Sequence, residues 1–304
     1  MTAPLILSIG EAMVELSQAG QHGLWQQGIA GDTLNTAWYL RRLLSGHWRV
    51  GYLSRVGLGE FSQQMMDFLA LEGIETAYVS RDSRHEIGLY AISLRNGERS
   101  FSYWREQSAA RRLADDPQPL ERALTGAHTA YLSGITLAIL PEHSRNNLMQ
   151  ALLRARSQGT RLVFDSNLRP HLWPDSASMC HQIEAMAAHA DLILPSFDDE
   201  NRYFGDPDPQ TTLARYLACG ARQVVVKAGG AAVYYGGVEG QGVVEGLVRE
   251  TPVDTTSAGD SFNAAYLAAR LEREADIPTA IRCAHELSRK VILHHGALVR
   301  QALS

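Results

Sequence analysis

Short apolar runs alternate with longer stretches of helical period through most of the chain. Leu5–Gly10, Arg49–Val56, Ala130–Ser133, Leu162–Asp165, Asp191–Leu194 and Gln223–Val226 each have the length and apolar content of a buried strand. Between them lie helical patterns. Gly31-Asp32-Thr33-Leu34-Asn35-Thr36-Ala37 leads through Leu40 and Leu44, Glu60–Leu71 is closed by Gly73, and a third helix is opened by Pro141 and ended by Gly159. Apolar strands alternating with helices predict a doubly wound α/β fold, a mostly parallel sheet flanked by helices. The texture changes at Gly88–Arg95 and Glu98–Arg105, two aromatic-rich runs joined by Asn96-Gly97. Asn-Gly suits a hairpin because both turn positions need positive φ. This pair interrupts the alternation, so it is expected to stand apart from the main sheet as a small β-hairpin lid. Neither a low-complexity linker nor a repeat divides the chain. The reading is one domain over residues 1–304, with lid segments at about 12–30 and 86–108 projecting from it.

The stretch Asp254-Thr255-Thr256-Ser257-Ala258-Gly259-Asp260-Ser261-Phe262-Asn263-Ala264-Ala265 carries the most pointed chemistry. Its first half has the composition of a turn; its second opens a helix, with Phe262, Ala265 and Ala269 at helical spacing up to Leu271. Thr256 or Ser257 is the expected N-cap, leaving the amides of Ala258, Gly259 and Asp260 unpaired. Such a helix start attracts anions, because free N–H groups and the dipole point outward. Gly259, without a Cβ, lets a phosphate approach the backbone. Asp260 repels a phosphate there, so it either complements the helix dipole or is present to take a proton.

In open α/β sheets, ligands bind beyond the carboxyl ends of the strands. Those predicted ends carry Asp165, Asn167 and Arg169; Ser196 and Asp199; Lys227 and Gly229. The set joins phosphate-friendly groups to carboxylates suited to Mg²⁺. The sequence has no Walker Gly-x-x-x-x-Gly-Lys-Ser/Thr, and Gly57-Leu58-Gly59-Glu60 lacks the third glycine of a dinucleotide fingerprint, so it reads as a strand–helix turn. No His-Glu-x-x-His occurs among the 11 histidines, and adjacent His294 and His295 would occupy different helix faces. A net charge of −5 without a basic run sets aside nucleic acid and anionic membrane as partners. Cys180, Cys219 and Cys283 are scattered, and the first residues lack a basic n-region, which together predict a cytoplasmic protein.

With these motifs in place, the chain resembles the ribokinase-like (PfkB) family of sugar kinases. Asp254–Ala265 is similar to the family's Asp-Thr-Thr-Gly-Ala-Gly-Asp-x-Phe signature, with Ser257 at the first signature glycine. Ala30-Gly31-Asp32-Thr33-Leu34-Asn35 resembles its Gly-Gly-x-x-x-Asn sugar signature, and Lys227-Ala228-Gly229 its nucleotide-site Lys-x-Gly. Within the family, the 2-keto-3-deoxygluconate kinases are matched by Gly10–Leu16, Gly31–Thr36, Tyr103-Trp104-Arg105, Leu132–Ile135 and Asp165–Pro170.

The resemblance implies a ribokinase-like fold and ATP- and Mg²⁺-dependent phosphorylation of the 6-hydroxyl of that sugar acid. Asp260 would be the general base. Gly31, Asp32, Asn35, Tyr90, Tyr103, Arg105, Ile135 and Arg169 would bind the sugar. Asn167, Lys227, Gly229, Gly230, Ser257, Ala258 and Gly259 would serve the nucleotide, with His285 and Ser288 bordering the adenine. Arginine forks suit a sugar carboxylate, which ribose or fructose lacks. The family's metal motif Asn-x-x-Glu is replaced by Ser196-Phe197-Asp198-Asp199, which puts Asp199 in the Glu register and Glu200 one place off. Three alternatives stay open: another kinase of the family acting on 2-ketogluconate or a neutral ketose, a non-catalytic sugar-binding regulator, and a nucleotide-binding dehydrogenase. The sequence also leaves open whether the aromatic hairpin closes over a monomer or makes a homo-oligomer through the lid.

Overall fold

Each apolar run forms a strand whose successive side chains point to opposite faces. The computed structural model describes residues 3–18, 23–95 and 98–303, so the Asn96-Gly97 turn lies outside the described residues. β1 (Leu5–Ile9), β2 (Met13–Gln18) and β3 (Trp25–Ala30) precede α1 (Asp32–Leu43). β4 (Arg49–Val56), α2 (Glu60–Leu71) and β5 (Val79–Arg81) lead to the aromatic pair β6 (Gly88–Arg95) and β7 (Glu98–Trp104). Then come α3 (Pro117–Leu124), β8 (Ala127–Ser133), α4 (Gly134–Ile139), α5 (Glu142–Ser157), β9 (Arg161–Asp165) and α6 (Ser176–Ala187). β10 (Leu192–Ile193), α7 (Phe197–Phe204) and α8 (Pro209–Cys219) precede the strands β11 (Gln223–Ala228), β12 (Ala232–Gly237) and β13 (Gly242–Val244). Two packed helices follow, α9 (Ala258–Glu272) and α10 (Ile277–Val291).

The main sheet has the order β13-β12-β11-β10-β9-β8-β1-β4-β5. It is parallel from β5 to β11 and antiparallel at β12 and β13. Both faces are covered, which is why its central strands are mostly apolar. Ile6, Val50, Tyr131, Val163 and Val225 pack beneath α1, α2, α9 and α10. Leu7, Ile9, Leu132, Phe164 and Val224 pack on the other face against α3, α5, α6 and α8.

A second sheet, of order β3-β2-β6-β7, is separate from the first. β6 and β7 pair antiparallel from Leu89↔Trp104 to Arg95↔Glu98, as two strands of a hairpin do. β2 lies parallel to β6 and antiparallel to β3. Parts of the fold that went unread in the sequence include short β5, helices α3, α4, α6, α7 and α8, and the antiparallel edge β12–β13. That edge is rich in glycine, which obscures strand alternation. His294 and His295 lie beyond the end of α10 rather than on its faces, and both are exposed.

Candidate active site

The carboxyl ends of β9 and β11 and the start of α9 converge on one place. α9 begins differently from the expected capped helix. Ser257 occupies the N-cap position at φ 64°, and its side chain makes no cap hydrogen bond. The Thr256 N–H instead donates to Asp254 Oδ1 at 3.0 Å, and the Ala258 N–H donates to the Thr255 carbonyl at 3.2 Å. Among the described residues, the Gly259 and Asp260 amides at this helix start therefore stay free, while that of Ala258 is taken. The left-handed Ser257 also explains why a glycine suits this position, since a side chain at positive φ is strained. A Cβ at Gly259 would meet only Lys227 Nζ, at 3.7 Å, so the ammonium lies close to this glycine with open space between.

Lys227, at the end of β11, is held by Asn263 Oδ1 at 3.1 Å and lies 3.6 Å from Asp165. Asn263 in turn donates to Asp165 Oδ2 at 2.8 Å and to the Tyr131 hydroxyl at 3.0 Å. Opposite stands Asp260, buried, its Oδ2 accepting a hydrogen bond from Asn35 Nδ2 at 2.8 Å. Burial, and after it the charge of nearby Asp32, push the Asp260 carboxyl up to about 8, with Asn35 pulling the other way. Asp32 is itself raised, by burial first, although Ser133 and Asn167 both donate to its carboxylate. The structure thus crowds carboxylates from α1, β9 and α9 against one cation.

Two cavities meet at this point. The first, of about 490 Å³, is lined by all eight residues expected at the sugar: Gly31, Asp32, Asn35, Tyr90, Tyr103, Arg105, Ile135 and Arg169. The second sheet forms its outer wall. There Tyr90 and Tyr103 face each other across β6 and β7 with ring centroids 5.8 Å apart, and Tyr103 stacks on His171. Gly31 is required by close packing, because a Cβ would lie 2.3 Å from the Glu11 carbonyl oxygen. Arg105 is buried and ion-paired through Nη2 with Glu11, while its Nε has no hydrogen-bond partner. Arg169 is more open and stands 3.8 Å from Asp199.

The second cavity, of about 410 Å³, is lined by Lys227, Gly229, Gly230, Ala258, Gly259, His285 and Ser288. Gly229 and Gly230 turn the chain from β11 to β12 at φ 58° and 77°, values open to glycine without strain. His285 Nε2 is 2.7 Å from the Val248 carbonyl, and Ser288 donates to the Ala258 carbonyl at 2.9 Å. Lys227, Ala258 and Gly259 border both cavities. Asn167 and Ser257, expected at the nucleotide, line the first cavity and not the second.

Glu200 and Asp199 part company here. Glu200 is fully buried, bonded by Ser166, Arg215 and Tyr216, and pushed up to about 7 by burial; it belongs to the interior. Asp199 lines the first cavity and is raised by burial against the pull of Arg169. Among the described residues no group of three metal-ligating side chains occurs. Mg²⁺ arriving on a triphosphate keeps several waters and needs only one or two carboxylates, which Asp199 and Asp165 provide. The residues fit that cation.

Several participants escaped the sequence reading. Glu11, the partner of Arg105 and Ser108, and Glu15, the partner of Tyr90, lie in a segment quoted above as a motif. Asn263 follows Asp260 by one helical turn, a spacing that was available as a signal. Tyr131 read as core; only its hydroxyl, bonded by Thr36 and Asn263, joins it to the site.

A doubly wound sheet with an anion-accepting helix start, a buried carboxylate and two joined cavities defines a phosphoryl-transfer enzyme of the non-P-loop kind. The chain belongs to the pfkB family of carbohydrate kinases, which it matches over residues 3–301. It is 38% identical over 304 residues to the 2-dehydro-3-deoxygluconokinase of Haemophilus influenzae, covering 97% of this chain and 95% of that one. A PfkB protein from Polaromonas sp. JS666 superposes at TM-score 0.84 with 26% identity, covering 99% of each chain. The fold is also shared with the fructokinase of Xylella fastidiosa, solved with bound ATP, at TM-score 0.83 and 21% identity over 98% of this chain and 94% of that one. Among the described residues no helix is long and apolar enough to cross a membrane.

Proposed function

We propose that this carbohydrate kinase transfers the γ-phosphoryl group of ATP to the 6-hydroxyl of 2-keto-3-deoxygluconate, with Asp260 as general base. The observation that carries the reading is the buried Asp260 carboxylate at the junction of two cavities, beside the free Gly259 amide and Lys227. The sugar occupies the cavity of Arg105 and Arg169, whose guanidinium groups suit its carboxylate. ATP occupies the cavity of Gly229, Gly230 and His285. The sugar hydroxyl loses its proton to Asp260 as its oxygen bonds to phosphorus and the bond to ADP breaks. A carboxylate raised toward neutrality is a stronger base than an ordinary one, and such help is worth roughly 10²–10⁴-fold. The amides of Gly259 and Asp260, with Lys227, receive the charge spreading over the transferring group. Mg²⁺ bound with ATP neutralises triphosphate charge, and Asp199 and Asp165 are the residues to hold it. The β2–β3 and β6–β7 strands act as the lid that keeps water from competing for the phosphoryl group.

A coupled ADP-release assay over a sugar panel tests the proposal. Turnover confined to 2-keto-3-deoxy sugar acids is the expected result. One observation favours a second reading: the Glu11 partner of Arg105 offsets part of the charge meant for a sugar carboxylate. Preferred turnover of fructose, or of 2-ketogluconate, would establish that reading instead. No ADP release with any sugar would overturn both and leave a sugar-binding protein.

A further inference from the structure

At the opposite end of the main sheet lies a cavity of about 560 Å³ that the kinase reading does not use. Its walls come from the amino-terminal ends of β9 and β11, the end of α5 and the last turns of α9. The active site lies at the other ends of the same strands, so the two share no residue. About 18 Å of α9 separates Ala258 from Arg270, at 1.5 Å per residue. The volume falls within the range of small-molecule sites, roughly 300–1,000 Å³.

Charge and polarity argue that the occupant is an anion. Arg156, Arg161, Arg222 and Arg270 line the cavity against two carboxylates, Asp191 and Glu239, an excess of two positive charges. Asp191 pairs with Arg156 at 3.1 Å and Arg222 at 3.5 Å, and Glu239 pairs with Arg270. Arg161 has no ion-pair partner among the described residues. A second observation is independent of these charges. Gln223 in the same wall is only 3% exposed, yet its Nε2 has no hydrogen-bond partner. Its Oε1 is fixed by the Glu239 amide at 3.2 Å, so the carboxamide cannot turn to hide its donor. A buried donor left unmade is costly, and an acceptor reached by a small shift of the Gln223 side chain removes that cost. Val163, Leu192 and Leu267 supply an apolar floor beside these donors.

We infer that this cavity is a second binding site, for a small organic anion: a carboxylate or phosphate ester carrying an apolar body. Its head group accepts from Arg161 and, once that side chain shifts, from Gln223 Nε2, and its body lies on the apolar floor. The test is calorimetric titration of the full chain with phenyl phosphate, phenylacetate and inorganic phosphate, for the wild type and for Arg161→Ala and Gln223→Leu. Arg161 is exposed, so its variant keeps the fold; unchanged kinase activity serves as the control for both. Saturable binding of phenyl phosphate or phenylacetate, tighter than that of inorganic phosphate and weakened about tenfold by each substitution, is expected. Whichever of the two organic anions binds more tightly identifies the head group. Absence of saturable binding by both, or equal binding by wild type and variants, overturns the inference.

Discussion

Replacing Asn35 by alanine isolates the electrostatics of the proposed base. The Asn35 amide donates to Asp260 Oδ2 at 2.8 Å, and this bond favours the ionised carboxylate. A hydrogen bond to a charged group is worth about 1.5–3 kcal/mol, and one pH unit corresponds to about 1.36 kcal/mol. Asn35→Ala should therefore raise the acidic limb of the kcat/KM profile by about one to two pH units. At pH 7 the rate should fall about tenfold to hundredfold, and it should recover as the pH is raised through the new limb. Asp32→Asn supplies the opposite sign, since the Asp32 charge pushes the Asp260 carboxyl upward; its acidic limb should move down. The assay is initial-rate ADP release from pH 5.5 to 9.5 with both substrates varied. An Asn35→Ala limb that stays in place while the rate falls uniformly, or a limb that moves down, would refute the assignment of Asp260 as base.

Asp260→Asn should cut kcat by roughly 10²–10⁴-fold with little change in ATP binding; near-normal turnover would sink the mechanism. The same substitution should stabilise the fold. The folded-state Asp260 is raised from 3.8 to about 8, so native protein binds the proton more tightly than unfolded chain, and stability is lost as pH rises through that window. The melting-temperature gain over wild type should be larger at pH 9 than at pH 5, and an equal gain at both would contradict the shift. Gly259→Ala should leave the melting temperature unchanged, since only Lys227 Nζ lies near the new methyl group. It should nonetheless lower kcat at least tenfold by keeping the phosphoryl group from the amide, on the scale of one lost oxyanion donor, roughly 10²-fold. Ser257→Gly relieves a left-handed residue at φ 64°. It should raise stability by about 1 kcal/mol, or about 2 °C in a thermal melt, and a loss would show that the serine has a compensating role.

Much of this molecule was legible because its signals are local. β4 and α2 run as their patterns said, since a full apolar run and an uninterrupted amphipathic period leave little choice. The separate hairpin was legible for a similar reason: its aromatic-rich strands break the strand–helix alternation. The start of α9 was legible in kind but not in detail. Side-chain capping is the common solution at a helix start, yet here Asp254 takes the Thr256 amide and Ser257 turns left-handed. The arginine-lined cavity at the amino-terminal strand ends left no local trace at all. Its arginines belong to four separate segments and read individually as solvated surface.

The least legible feature is also the one that shapes the chemistry. Asp32, Asp165 and Asp260 are far apart in the chain, and each alone reads as a helix-start or strand-end residue. Only the winding of the sheet brings α1, β9 and α9 to one point. Like charges held together in a buried place cannot all stay ionised without cost, so convergence itself tunes the base, and no single motif encodes that. The network divides the task. Lys227 and Asn263 hold Asp165, Ser133 and Asn167 hold Asp32, and Asp260 accepts from Asn35. Its partner Asn35 is therefore the residue through which the fold sets how readily that proton is taken and given back.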